Sequence, residues 1–182
     1  MKDTHKDGLV AWWQFDEGEG GVLHDRSGNN NHGTIKGANW VEMAEGYALE
    51  FDGDDDHVDC GDGPTLDLRE QISMTAWVCP SAPKMDGHAG VIGKSLKTYG
   101  MSSSAQHLCF YISNKGDKVL TSTTFGTWYH VASCFDGKSL RLYVDGYLVD
   151  ERKTDTAIKP GGHFWMGRSD GQDGTKDAHF HG

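Results

Sequence analysis

The run Asp25-Arg26-Ser27-Gly28-Asn29-Asn30-Asn31 puts a carboxylate, three amides and a freely turning glycine side by side. Oxygen-rich loops of this kind suit hard cations, and Ca2+ takes six to eight such ligands. Asp25, Asn30 and Asn31 are the expected ligands. A second acidic run, Asp52-Gly53-Asp54-Asp55-Asp56, starts like a calcium loop. It lacks the glutamate and flanking helices of an EF-hand, so a solvated, self-repelling turn is expected there. Tryptophan offers a different chemistry, because sugar rings pack their apolar faces on exposed aromatics while polar neighbours fix the hydroxyls. Six tryptophans are present. Trp12 faces opposite Trp13, and Trp165 opposite Phe164 and Met166, so Trp12 and Trp165 are the expected platform, with Trp40 a third candidate. Tyr99, His107, Tyr111 and Arg168 are expected to complete the ligand surface. His179 and His181 share a strand face near His163. With no clear third and fourth ligand, these histidines read as polar surface rather than a zinc or nickel site. The sequence holds no Gly-x-Ser-x-Gly, His-Glu-x-x-His or phosphate loop.

Positioning these groups falls to strands. Leu9–Phe15 alternates with period two, and both of its faces carry bulk. Further strand-like runs lie at 47–51, 57–60, 72–79, 90–93, 107–113, 118–122, 128–135, 140–144, 147–150 and 163–167, the spacing of a sandwich or barrel. Asp52-Gly53, Asn114–Asp117, Asp136-Gly137 and Asp145-Gly146 punctuate them, and the last reads as a two-residue hairpin. The prolines, Pro64, Pro80, Pro83 and Pro160, fall in connections, where a missing N–H is harmless. No amphipathic helix, repeat or linker is evident, so residues 8–182 read as one antiparallel domain behind a tail at 1–7.

Charge narrows the function classes. Seventeen Lys+Arg stand against 27 Asp+Glu, a net charge of −10. Nucleic-acid binding is excluded for want of a basic face, whereas hard cations and neutral sugars stay open. No run approaches the ~18 apolar residues of a membrane span, and the first residues lack the apolar stretch of a signal peptide. Cys60, Cys79, Cys109 and Cys134 are too far apart for zinc pairs. Buried thiols are the preferred reading, with disulfides in any of three pairings as the rival.

Several segments, taken in order, resemble the laminin-G-like, concanavalin-A-like lectin/glucanase jelly rolls of bacterial secreted proteins. Leu9–Gly18 resembles their opening strand, and Asp25-Arg26-Ser27-Gly28-Asn29 their Asp-x-Ser-Gly-Asn loop. Ala48–Val58, Ile72–Val78, Gly126–Ala132, Leu140–Gly146 and Met166–Arg168 continue the series, which covers nearly the whole chain. The resemblance implies an all-β, two-sheet antiparallel sandwich. It also implies a structural calcium, a glycan or polysaccharide partner, and a secreted or cell-surface setting. Trp13, Trp77 and Trp128 fall in the family's core-like segments.

Two departures matter. The family usually continues past Phe180-His181-Gly182 with a further acidic strand, so the expectation is a sandwich one strand short. Its exposed C-terminal edge would invite self-association and leave the calcium site incomplete. Glu50-Phe51-Asp52-Gly53-Asp54-Asp55 loosely resembles the Glu-x-Asp-x-x-Glu strand of the retaining glucanases, whose two carboxylates must stand about 5–5.5 Å apart. Here the last acid is Asp, and Gly53 breaks the strand. A non-catalytic carbohydrate-binding module is therefore the leading expectation. A structural or adhesive domain comes second, and a hydrolase using Glu50 and Asp52 third.

Overall fold

Alternation in Ile72-Ser73-Met74-Thr75-Ala76-Trp77-Val78 sends Ile72, Met74 and Val78 into the core and leaves Ser73, Thr75 and Trp77 exposed. The same rule builds most of the molecule. The computed structural model describes residues 8–81, 89–95, 97–104, 106–113, 117–159, 161–170 and 177–182. Its strands are β1 (Val22–Leu23), β2 (Gly33–Lys36), β3 (Asn39–Glu42), β4 (Tyr47–Glu50), β5 (His57–Asp59), β6 (Ile72–Val78), β7 (Ala89–Gly93) and β8 (Tyr99–Ser104). They continue as β9 (His107–Ile112), β10 (Lys118–Ser122), β11 (Tyr129–Phe135), β12 (Ser139–Val144), β13 (Tyr147–Lys153), β14 (Trp165–Met166), β15 (Arg168–Ser169) and β16 (Ala178–His179).

Two antiparallel sheets dominate. The larger has eight strands in the order β1-β2-β5-β14-β7-β8-β9-β10, and the smaller four in the order β13-β12-β11-β6. Val58, Met166, Met101, Phe110 and Val119 from the large sheet pack toward Ile72, Val131, Phe135, Leu140 and Leu142 from the small one, all buried. Each such side chain contributes about 1.5–3 kcal/mol of burial. The hairpins β3-β4 and β15-β16 form two further ribbons. The tail at 1–7, the turn residues Asn114–Gly116, Pro83 and Pro160 lie outside the described residues. All four cysteines are free thiols; Cys60 and Cys109 are buried, and burial pushes both thiol pKa values up.

Two expectations are corrected. Leu9–Phe15 is extended but carries no ladder; its one bridge pairs Trp13 with Asp25. Phe15 adopts a φ of 57°, which ends the extended run. The edge expected beside Phe180 is occupied as well. Gly182 exchanges both backbone hydrogen bonds with Phe51, at 2.9 and 3.1 Å, and His181 O accepts from Ser81 N at 3.0 Å. Phe180 itself is only 4% exposed.

Candidate functional site

Cross-strand register defines the outward face of the large sheet. One row reads Thr34, Asp59, Trp165, Gly93, Gly100, Tyr111, Lys118, each residue opposite the next. Residues directly opposite share a face. Three of the sequence candidates therefore lie on one surface: Trp165, Tyr111 and, four residues earlier on β9, His107. The two glycines between Trp165 and Tyr111 are not open floor. Gly93 is buried, and a side chain at Gly100 would collide with the Tyr111 hydroxyl. Tyr111 reaches toward the Lys94 carbonyl at 3.5 Å, and burial raises its phenol pKa. His107 stands apart at the β9–β10 edge, beside a depression of about 130 Å3 lined by Ser104, Cys109, Lys118 and Leu120.

Trp165 is the centre of a polar aromatic cluster. Strand β14 ends at Met166, and Gly167 turns the chain with a φ of 79°, which brings Arg168 back over the indole. The guanidinium carbon lies 4.4 Å from the ring centroid, a cation–π contact. His163, two residues earlier, stacks on the ring at 5.1 Å and 17°. His57 meets it edge-on at 5.5 Å, and His179 lies 6.1 Å beyond His57. Asp59 accepts from His163 at 3.3 Å, and Arg168 pairs with Asp177. Two N–H groups in this cluster, Trp165 Nε1 and Arg168 Nε, are buried and have no hydrogen-bond partner among the described residues. A buried N–H left unpaired costs about 1–3 kcal/mol.

The remaining candidates have other tasks. Tyr99, expected on the ligand surface, is 0% exposed; its hydroxyl donates to the Leu66 carbonyl at 2.5 Å, which makes it a core residue. The reason is parity, because Tyr99 shares its side of β8 with Met101. Trp40 is half-buried on β3, where it packs edge-on against Phe15 and donates from Nε1 to Gly20 O at 3.0 Å. Trp12 is 45% exposed on the N-terminal segment, where its backbone bonds Asp25 and Arg26. His181 engages Ser81, so His179 and His181 face different partners.

The residues of the Asp25 loop do not fit a calcium site. Asp25 Oδ1 accepts from the N–H groups of Trp12 and Ser27 at 2.9 and 2.8 Å. Asp25 Oδ2 accepts from Ser27 Oγ and Asn31 N at 2.8 and 2.9 Å. Both oxygens are thus filled by donors that a cation would have to displace. Burial raises the Asp25 carboxyl, but the bonds from Ser27, Trp12 and Asn31 outweigh it and hold the pKa below the usual value. Asn31 donates to Val10 O and accepts from Thr65 Oγ1; Asn30 is exposed at a φ of 59°. Asn29 also donates to the Val10 carbonyl. The loop is a clasp that holds the unladdered N-terminal segment.

The second acidic run is a turn closed on itself. Asp52 Oδ1 accepts from Asp54 N, and Asp56 Oδ2 from Asp52 N. Carboxylate oxygens of Asp52, Asp55 and Asp56 nevertheless lie within 4.8 Å of one another. Burial, with Asp52 and Asp55 adding repulsion, raises the Asp56 pKa. Glu50 and Asp52 line one depression of about 220 Å3 with Asn39, Phe51, Asp56 and His181.

Sequence reasoning missed the small sheet. Trp77 and Trp128, expected in the core, are 66% and 41% exposed. The signal was present: Trp77 alternates with Ala76 and Val78, and Trp128 shares parity with His130 rather than with Tyr129 and Val131. Trp13, by contrast, packs on the core, stacked on Phe164 at 5.5 Å.

Two facing antiparallel sheets with this strand order define a lectin-like sandwich. A family model described as the concanavalin A-like lectin/glucanases superfamily matches residues 52–182, and the chain belongs to that superfamily. No curated protein sequence matches it. Among solved structures, domain 4 of an extracellular GH43 arabinanase from Geobacillus stearothermophilus, in complex with arabinotriose, is 19% identical with a TM-score of 0.70. That match covers 96% of this chain and 87% of the other. A structure of botulinum neurotoxin type C, whose cell entry is dependent upon interaction with two ganglioside molecules, is 15% identical with a TM-score of 0.70, covering 96% of this chain and 46% of that one. The binding domain of botulinum neurotoxin DC in complex with rat synaptotagmin II is 15% identical with a TM-score of 0.67, covering 96% and 45%. This chain thus spans under half the length of these neurotoxin chains. At such identities the likeness is one of fold. Among the described residues no helix is long and apolar enough to cross a membrane.

Proposed function

We propose that this domain is a non-catalytic carbohydrate-binding module of a secreted or cell-surface protein, and that its ligand is a neutral glycan seated at Trp165. The two buried, unpartnered N–H groups of Trp165 and Arg168 carry this reading. Sugar hydroxyls both accept and donate, and the cluster offers both counterparts: N–H donors on Trp165 and Arg168, and carboxylate acceptors on Asp59 and Asp177. Those carboxylates, with a net charge of −10, disfavour an anionic ligand. His163 has an exposed side chain (49%). A sugar ring that displaces it takes its stacking place, and hydroxyls that overhang the edge of the indole are the groups that reach the two donors. The superfamily assignment and the glycan-bound arabinanase domain support this reading at the level of fold.

The test is retardation in affinity gels cast with neutral polysaccharides, and then titration calorimetry on whichever polysaccharide retards the protein. Retardation clearly weakened in Arg168→Ala at unchanged melting temperature is the expected result. Unretarded wild-type protein on every polysaccharide refutes the proposal. A hydrolase reading draws on Glu50 and Asp52 sharing one depression. Reducing-sugar release abolished by Glu50→Gln would favour it instead.

A further inference from the structure

We infer that the domain carries a second glycan contact on the opposite sheet, an open aromatic strip formed by Trp77 and Trp128, which takes the apolar face of an extended neutral pyranose chain. The strip shares no residue with the Trp165 cluster and stands on separate observations, although both sites call for a glycan.

Register places the parts. Trp77 on β6 lies directly opposite His130 on β11, and the rings meet at 5.3 Å and 54°. Trp128 immediately precedes β11, and because Tyr129 pairs with Val78 it enters the sheet at the Trp77 end of β6. Both indoles project outward, since Val78, Val131 and Phe135 hold the inward positions. Unlike Trp165, neither indole has a cation or a second stacked ring against it among the described contacts.

Around the strip the surface is small and polar. Thr75, Ala132 and Tyr143 form the adjoining row, and Ser73, Cys134 and Arg141 the one beyond. Asp145 fixes the β11 end by accepting from His130 N at 3.0 Å. The pattern is an exposed aromatic strip bordered by hydroxyl and charged groups.

Area separates a sugar from a protein partner. Trp77 is 66% and Trp128 41% exposed, which leaves on the order of 250 Å2 of open indole surface. A specific protein interface needs about 800 Å2 on each partner. Tyr147 and Leu148 are also exposed, but they sit on β13 at the far side of the small sheet, with β11 and β12 between. The strip is the size of a few sugar rings.

The experiment is calorimetric titration of the full chain with neutral cello-, xylo- and manno-oligosaccharides, on wild type, Trp77→Ala, Trp77→Tyr and Arg168→Ala. The expected result is a wild-type stoichiometry of two that falls to one in Trp77→Ala. Trp77→Tyr restores the second event, and Arg168→Ala keeps the weaker one. Melting temperatures should stay level across the Trp77 variants, because the side chain is mostly exposed. Wild-type binding at one site that Trp77→Ala leaves unchanged overturns this inference and spares the proposed function. No binding to wild type overturns both. A wild-type dimer in light scattering that Trp77→Ala converts to monomer also overturns the inference, in favour of a protein contact.

Discussion

Trp165 and Trp77 stand on the outward faces of the two sheets and are built for opposite kinds of contact. Trp165 is flanked by Arg168 and His163, and its N–H is buried without a partner. Trp77 has one tilted neighbour and is 66% exposed. The first arrangement supplies direction, through hydrogen bonds that only a correctly placed oxygen satisfies. The second supplies area, through a face that tolerates many rings. The contrast originates in the backbone at the end of each strand. After β14, Gly167 folds Arg168 back onto the sheet, whereas the described residues after β6 bring no cation over Trp77.

Both regions depend on a frame that neither builds, so the largest expected effect separates stability from binding. Asp25→Asn replaces one acceptor oxygen with an N–H donor facing two donors, and should cost about 3 kcal/mol, a fall on the order of 6–12 °C in melting temperature by calorimetry. The folded Asp25 pKa is lowered. Its contribution is therefore present above the usual carboxylate value, about 3.9, and is lost as pH falls below it. Wild-type stability should drop below about pH 4 with a component that Asp25→Asn lacks. Glycan affinity at both tryptophans should survive at temperatures where the variant is folded.

Next in size is Arg168→Ala, which removes a charge-assisted donor and should weaken the Trp165 site about tenfold to a hundredfold. Equal losses in Arg168→Ala and Trp77→Ala would break the distinction between directed and open contact. Smaller, and opposite in sign, is His163→Ala. If the sugar must displace that ring, its removal should raise affinity at Trp165 about two- to tenfold, read by calorimetry. A fall would show that His163 is part of the platform itself. Glu50→Gln should leave both sites unchanged, and a loss of binding there would move the ligand to the Asp52 depression.

The fold and the site were legible in sequence only as far as each signal is local. Period-two alternation and the Asp-Gly turns locate strands such as Ile72–Val78 and the Asp145-Gly146 hairpin, because those signals depend on adjacent residues. Tyr99–Ser104 escapes them, since its glycine and serines carry no apolar alternation, and they are buried only because β8 lies between β7 and β9 in the large sheet. Trp165 and Arg168 are both expected at the ligand surface. Their contact is not foreseeable, for it rests on the φ of Gly167. Trp77 and Trp128 show the reverse error: alternation points them outward, whereas the family pattern assigns them to the core. Asp25 is a different case. The same carboxylate and amides that suit a cation also suit backbone N–H groups, and only geometry distinguishes the two.

The central claim is that unpaired N–H groups at Trp165 receive a neutral glycan. The most direct measurement is titration of wild type and Arg168→Ala with the polysaccharide that best retards the wild-type protein. Saturable wild-type binding, weakened at least tenfold in Arg168→Ala at equal melting temperature, is the predicted result. Equal affinity in the two proteins would contradict the claim.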